Sequence, residues 1–291
     1  MPPDNHRYLL LDVFSGRPFA GNPLAVFPEA EGMAESRMQA IANELNLSET
    51  VFVGTPTAKN RFPIRIFTPS TELPFAGHPT VGTAHLLVAL GMAERGQPLT
   101  LQARVGDLEV RFEDDLAYFT TAQPVEIGVS SLDRTTAAAL LGLAPSQVIA
   151  TPVVASCGLP FHLIELDSRE TLAQAQPSSP RWLQHVSPSH VEQIYLYVND
   201  GEALNARMFS TELGGLHEDP ATGSAASALA GFLATHREGP GHWQWQIEQG
   251  IEMGRASLIL AEVRRDDAGA MTIRIGGQAV LIGEGHVYSL S

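Results

Sequence analysis

Apolar runs, broken at short intervals by Gly, Pro and acidic turns, set the first expectation for this chain. Residues 8–14 read Tyr-Leu-Leu-Leu-Asp-Val-Phe and stop at Ser-Gly-Arg-Pro, which predicts a short buried strand. A second follows the turn Gly21-Asn22-Pro23, over 24–27. Met38, Ile41, Ala42 and Leu45 recur at i, i+3, i+4 and i+7, the spacing of an amphipathic helix over 33–46. Strands are predicted at 51–53 and 62–67. Pro79 then sits where a helix would start, since its missing N–H would be unpaired there anyway. Residues 80–90 are small and apolar nearly all round, which predicts a helix buried inside its part of the molecule and stopped by Gly91. Strands at 99–103, 106–112 and 117–121 alternate around acidic turns.

The pattern restarts near Pro124. A short Ala-rich helix from Asp133 to Leu141 stops at Gly142, and strands at 148–154 and 161–166 flank the turn Ser156-Cys157-Gly158-Leu159-Pro160. A polar helix is predicted over 168–185, strands at 193–198 and 204–209, and a second small-residue helix at 225–235. Four strands, 243–247, 257–264, 271–275 and 280–288, finish the chain. Many strands with one central apolar helix in each half predict an α+β fold, a curved sheet wrapped around each helix.

One stretch occurs twice. Arg65-Ile-Phe-Thr-Pro-Ser-Thr-Glu72-Leu-Pro-Phe-Ala-Gly77-His78-Pro79-Thr80-Val-Gly82-Thr83-Ala84 is echoed by Arg207-Met-Phe-Ser-Thr-Glu212-Leu-Gly-Gly-Leu-His-Glu218-Asp219-Pro220-Ala221-Thr222-Gly223-Ser224-Ala225. Both carry Arg-x-Phe-Ser/Thr, a Glu-Leu pair, a polar residue before Pro, and a Gly-Thr/Ser-Ala step. Setting His78 over Asp219 puts Gly82 on Gly223 and Thr83 on Ser224. A weaker echo links Gly21-Asn22-Pro23 with Gly158-Leu159-Pro160. The chain therefore reads as two homologous halves that face each other, with chemistry where the two loops meet.

Composition narrows the function. A formal charge of −14, with no basic run, argues against nucleic acid and anionic membranes, both of which reward clustered Lys and Arg. No apolar segment is long enough to span a bilayer. Cys157 is the one cysteine, so no intramolecular disulfide forms and a cytoplasmic setting is expected. The ten His are scattered and no Cys-x-x-Cys exists, so no metal is expected; His78 and His85, seven apart, suggest helix packing rather than a ligand pair.

Each repeated loop, a strand followed by a Gly-containing turn and a helix start, presents free N–H groups and partial positive charge, which suits a small carboxylate. The plainer reading makes Asp219 a helix N-cap, Gly82 and Gly223 packing glycines and Ser224 an ordinary helix-start serine. Two matched loops weigh toward function. Glu49 lies in a polar break between apolar segments, where desolvation would raise its pKa and suit it to proton exchange. A helix-end carboxylate in water, or one accepting backbone hydrogen bonds, fits the same residues.

Phe19-Ala-Gly-Asn22-Pro23-Leu-Ala-Val, Asn46-Leu-Ser48-Glu49-Thr50, Arg65-Ile-Phe-Thr-Pro69, Glu72-Leu-Pro-Phe-Ala-Gly77-His78-Pro-Thr80 and Glu218-Asp219-Pro-Ala-Thr-Gly223-Ser224-Ala, in that order and across the chain, resemble the phenazine-biosynthesis PhzF-like family. The resemblance implies a diaminopimelate-epimerase-like fold. Its two pseudo-symmetric halves would be 1–125, completed by a C-terminal strand at about 279–291, and 126–278, with the active site in the cleft between them. It also implies a homodimer and an isomerase that shifts a proton on a small, cyclic amino- or hydroxy-carboxylate without a cofactor. By residue, it implies that Glu49 transfers the proton, that His78 and Asp219 are polar catalytic partners, and that Gly77, Gly223 and Ser224 hold substrate. The superfamily's racemases use one cysteine per half. Here the loops carry Ala76-Gly77-His78 and Asp219-Pro220-Ala221, and Cys157 lies in neither, which excludes two-thiol racemisation. A carboxylate-binding or scaffold protein without turnover is the alternative. A Ser224 hydrolase lacks the Gly-x-Ser-x-Gly elbow that would support it.

Overall fold

The computed structural model describes residues 4–211 and 215–289. The backbone divides into two units: residues 1–120 with 276–291, and residues 121–275.

In the first unit, β1 (Asp4–Val13) and β2 (Asn22–Phe27) form an antiparallel pair. The chain then makes α1 (Glu35–Leu45), β3 (Glu49–Val53), β4 (Arg61–Phe67), the two-residue β5 (Glu72–Leu73), α2 (Gly77–Ala89), β6 (Leu99–Ala103), β7 (Gly106–Glu113) and β8 (Leu116–Thr120). β3 runs parallel to β2 and antiparallel to β4; β6 runs parallel to β4 and leads through β7 to β8 by hairpins. The apolar face of α1, with Met38, Ile41 and Ala42, packs on Phe27, Phe52 and Phe67. Asn46, in the left-handed conformation, ends α1 and donates its N–H to the Ala42 carbonyl. α2 is buried on nearly all sides, as its small residues predict, and packs on β1, β2, β7 and β8. A Cβ on Gly82 would lie 2.6 Å from side-chain atoms of both Leu24 and Val13, so this glycine lets the helix sit close on the sheet.

In the second unit the order is β9 (Glu126–Val129), α3 (Arg134–Leu141), β10 (Val153–Ser156), β11 (Pro160–Glu165), α4 (Arg169–Gln174), α5 (Ser179–His185), β12 (Gln193–Asp200), β13 (Ala203–Ser210), β14 (His217–Asp219), α6 (Gly223–Thr235), β15 (Gly241–Gln249), β16 (Ser257–Arg265) and β17 (Met271–Gly277). The polar helix expected over 168–185 is two helices. Between them the N–H groups of Gln176 and Ser178 turn away to the carbonyls of Leu141 and Leu140 at the end of α3. The strand expected from 148 begins only at Val153, and Val148 makes a single bridge to Leu166. The last strand, β18 (Ala279–Ser289), lies antiparallel along β1 in the first unit.

The two ladders repeat pair for pair. β12 is parallel to β11 and antiparallel to β13, and β15 is parallel to β13, as β3, β2, β4 and β6 are related. Thr50 stands opposite Phe67 as Ile194 stands opposite Phe209; Glu72 stands opposite Phe67 as Glu218 stands opposite Phe209. α2 and α6 are both 13 residues long and begin at a glycine. These registers set Leu73 over Asp219, Gly77 over Gly223 and His78 over Ser224. They correct the alignment that set His78 over Asp219 and Gly82 over Gly223. From Phe67 to Glu72 is five residues, but from Phe209 to Glu218 is nine, and a constant offset cannot absorb the extra four. Glu212 and Leu213, the second Glu-Leu pair of the sequence alignment, lie outside the described residues.

Two local expectations shift with the register. α2 starts at Gly77, so Pro79 is its third residue; its absent N–H still falls among the first four, which have no intrahelical acceptor. Asp219 is not a helix cap. It ends β14, and the residue before α6 is Thr222.

Candidate active site

In each unit the Arg-x-Phe motif builds a clamp beneath the helix start. Arg65 lies over the Phe67 ring at 5.2 Å and grips Glu72 with two bonds of 2.8 and 2.7 Å. Glu72 holds the Arg65 guanidinium above its already high range, and the guanidinium lowers the carboxyl in return. Arg207 lies over Phe209 at 4.9 Å and grips Glu218 with two bonds of 2.8 Å. Such forked pairs fix geometry as well as charge. They pin β5 and β14, the short strands from which the chain turns into α2 and α6.

Above the first clamp, two candidate residues meet. Glu49 opens β3 and His78 is the second residue of α2; the carboxylate Oε2 lies 3.3 Å from imidazole Nε2. The contact falls outside hydrogen-bond geometry, and Nε2 makes no hydrogen bond. His78 is 5% exposed and Glu49 16%. Burial pushes the imidazole down to about 3, because no compensating charge outweighs the loss of water around its cation. His78 is therefore neutral at physiological pH, and the contact is that of an uncharged imidazole with a carboxyl group. A proton on either group lies within reach of the other. Gly77 precedes His78 at the helix start, where no side chain caps the free N–H groups. His85, about two turns further along α2, bonds the Gly277 carbonyl and meets the Phe112 ring edge-on, a packing role.

Above the second clamp, Asp219 sits in a fully polar network. The Thr222 hydroxyl donates to its Oδ2 at 2.5 Å. Gln249, fully buried on β15, donates Nε2 to the Asp219 carbonyl (2.8 Å) and to Thr222 Oγ1 (3.0 Å). Its Oε1 accepts from the Tyr195 hydroxyl (3.1 Å) and the Thr222 N–H (3.2 Å). Burial, and then the Asp219 charge, push the Tyr195 phenol well above its usual range, so it stays a donor. Gly223 and Ser224 open α6, again without a side-chain cap. The sequence reading missed Tyr195 and Gln249. Thr222 lay in plain view in Asp-Pro-Ala-Thr-Gly, but nothing in the sequence pattern points to a glutamine 30 residues past Asp219.

Cys157 lies in the β10–β11 turn, away from either loop in sequence, and burial pushes its thiol up to about 11. It is a protonated thiol near the Ser227 hydroxyl, not a poised base. Among the described residues, no group of three or more His, Cys, Asp or Glu is placed to hold a metal ion, and no helix is long and apolar enough to cross a membrane.

The chain is similar to known proteins over nearly its whole length. A family described as phenazine biosynthesis-like protein (PhzC-PhzF) matches residues 11–285. An uncharacterized isomerase of Mesorhizobium japonicum is 39% identical over 97% of this chain and 98% of its own. Trans-2,3-dihydro-3-hydroxyanthranilate isomerase of Pseudomonas aeruginosa is 34% identical over 97% of this chain and 99% of its own. Among solved structures, a PhzF-family phenazine biosynthesis protein of Bacillus anthracis superposes with a TM-score of 0.87 at 22% identity, covering 98% of this chain and 99% of that one.

Proposed function

Because the chain belongs to the phenazine biosynthesis-like family of isomerases, with an α+β, diaminopimelate-epimerase-like fold, we propose that it shifts a proton on a small cyclic amino- or hydroxy-carboxylate by acid–base catalysis at Glu49. The observation that carries the reading is the contact of Glu49 with a buried, neutral His78. As a carboxylate, Glu49 takes a proton from an acidic C–H. The electron pair enters the conjugated system, and a C–H bond forms at another carbon with the proton that Glu49 returns. No electrons leave the substrate, so no cofactor is called for. His78 stays uncharged throughout, and orients the carboxyl or shares its proton. Asp219 assists from the second loop, and Gly77, Gly223 and Ser224 hold the substrate carboxylate, as helix-start N–H groups and a hydroxyl can. The protein is taken as a cytoplasmic homodimer, which light scattering on the purified chain would check.

The substrate to try first is trans-2,3-dihydro-3-hydroxyanthranilate, named for the Pseudomonas aeruginosa relative. In deuterated water the enzyme should incorporate solvent deuterium into the product. Glu49→Gln should lower turnover by about 10² to 10⁴, the usual worth of general acid–base help. Full turnover by Glu49→Gln would sink the proposed role. Binding of the compound without deuterium uptake would favour a carboxylate-binding protein instead.

A further inference from the structure

One buried histidine outside the candidate site holds two turns together. His162, on β11 of the second unit, is 0% exposed. Its Nδ1 meets the hydroxyl of Ser130, in the turn between β9 and α3, at 2.8 Å. Its Nε2 meets the hydroxyl of Ser189, in the single 3-10 turn Ser187–Ser189 after α5, at 3.2 Å. The neighbours assign the hydrogens. The Ser189 O–H is spent on backbone carbonyls, Val186 at 2.7 Å and Val191 at 3.2 Å, so its oxygen can only accept from the ring. Nε2 therefore carries the ring hydrogen, and Nδ1 accepts the O–H of Ser130. Each serine oxygen also accepts a backbone N–H, from Leu132 at 3.0 Å and from Val191 at 3.2 Å. Leu132 and Val186 belong to the apolar core that α3 and α5 build on β11 and β12. The first unit does without this bridge. Ala25 stands beside Thr50 as His162 stands beside Ile194, so a small buried apolar residue suffices at that ladder position for packing alone.

We infer that His162 is an acid-operated clasp: as the Nε2–H tautomer it ties the Ser130 and Ser189 turns over the core of the second unit, and taking up a proton releases them. Protonation turns Nδ1 from acceptor to donor, so the O–H of Ser130 loses its acceptor and a cation is left away from solvent. The strand neighbours on either side are Val154 and Ile194, which bring no charge. The titratable groups on the surrounding segments are Glu126 on β9, Asp133 and Arg134 at the start of α3, Arg181 and His185 on α5, and His190 after the turn. None of them sets the charge of the ring. Burial does, against a bond to the Val191 backbone, and holds the imidazole down to about 4. A released ring regains the ordinary 6.5, so opening becomes about tenfold easier for each pH unit between 6.5 and 4.

The amides that the two serines hold, Leu132 and Val191, report the clasp by hydrogen exchange, and the ring nitrogen shifts of isotope-labelled protein report the tautomer. At pH 7 the ring should be neutral with its hydrogen on Nε2. Between pH 7 and 5 the protection of both amides should fall about twentyfold, beyond the intrinsic change of exchange with pH. His162→Asn cannot titrate, and its protection should change by less than about threefold over the same range. Should that variant not fold, the parent's ring shifts and amide protection decide the matter. A ring hydrogen on Nδ1 at pH 7, or a folded-state ring that titrates above pH 6, would overturn the inference. So would protection that stays level down to pH 5, or an equal fall in parent and His162→Asn. None of these readouts involves turnover or the Glu49–His78 contact, so the outcome is independent of the isomerase reading.

Discussion

The two helix starts share a frame and differ in almost every residue around it. Where the second unit has Tyr195, Asp219, Thr222 and Gln249, the first has Val51, Leu73, Ala76 and Ala103. The first three pairs follow from strand register and helix start. The fourth follows from the parallel ladder, which matches Pro63 with Gln102 and Ala206 with Gln249. Four apolar residues in one copy replace a closed hydrogen-bond network in the other. The consequence is electrostatic. His78 enters a site with no polar side chain from those four positions, so burial goes unopposed and keeps it neutral against Glu49. Asp219 is held by the Thr222 hydroxyl, which Gln249 in turn fixes. A duplicated frame thus holds one buried Glu–His contact and one polar network by changing the polarity of the lining, with strand register and helix starts kept.

The clamps offer the largest test of that comparison on stability. Arg207 is 9% exposed, and beyond Glu218 it donates Nη1 to the carbonyls of Leu172 and Ala175 at the end of α4, each at 2.9 Å. Arg65 is 31% exposed, and its extra partner is the exposed Glu35 on α1. Arg207→Met leaves a half-buried carboxylate and two helix-end carbonyls without their donor, and should cost about 3–5 kcal/mol. Arg65→Met should cost about 1–2 kcal/mol, because Arg104 still bonds the Glu72 carboxylate at 2.8 Å and Glu35 is exposed to water. Urea denaturation of the two variants would show the gap; equal losses would mean that the clamps are equivalent after all.

A smaller effect should come from the network itself. Gln249→Leu removes the partner of the Tyr195 hydroxyl, the Thr222 N–H and the Asp219 carbonyl at once. We expect a loss of about 2–3 kcal/mol, the range for buried groups left unsatisfied, and a fall in turnover because Asp219 loses its fixed setting. The mirror substitution, Ala103→Gln, should leave turnover within a few-fold, since it adds polarity without the other three residues. If Gln249→Leu kept full stability and activity, the polar lining would be incidental.

How far the sequence could be read follows from the same contrast. Apolar periodicity located α1, α2 and α6 and most long strands, because burial on one face or on all faces leaves a regular mark. The repeat was visible through Arg65-x-Phe67 and Arg207-x-Phe209, in which each arginine lies over its phenylalanine ring. Its register was not, since Glu218 and not Glu212 stands in the place of Glu72, and the four extra residues between hide that match. Glu49 was legible as a carboxyl in a polar break. Its contact with His78 was not, because it depends on a parallel pairing of β2 with β3 and on the depth of α2. Gln249 carries no motif; only ladder register finds it.

The smallest effect is one of pH, and it isolates the unopposed burial of His78. In the unfolded chain an imidazole titrates near its ordinary value of 6.5; in the folded protein burial holds His78 down to about 3. Below 6.5 the unfolded chain binds a proton that the native site refuses, so stability attributable to His78 is complete above that value and declines as pH falls toward 3. Between pH 7.5 and 5.5 the decline should reach roughly 1–1.5 kcal/mol, by the usual 1.4 kcal/mol per unit. His162, pushed down to about 4 by burial in the second unit, contributes with the same sign, so the parent curve alone cannot separate them. The difference between parent and His78→Asn can, because His162 and the surface carboxylates cancel in it. That difference should narrow by the stated amount from pH 7.5 to 5.5. A constant difference would mean that His78 accepts a proton readily in the folded state, and that the first helix start is as well supplied with polar partners as the second.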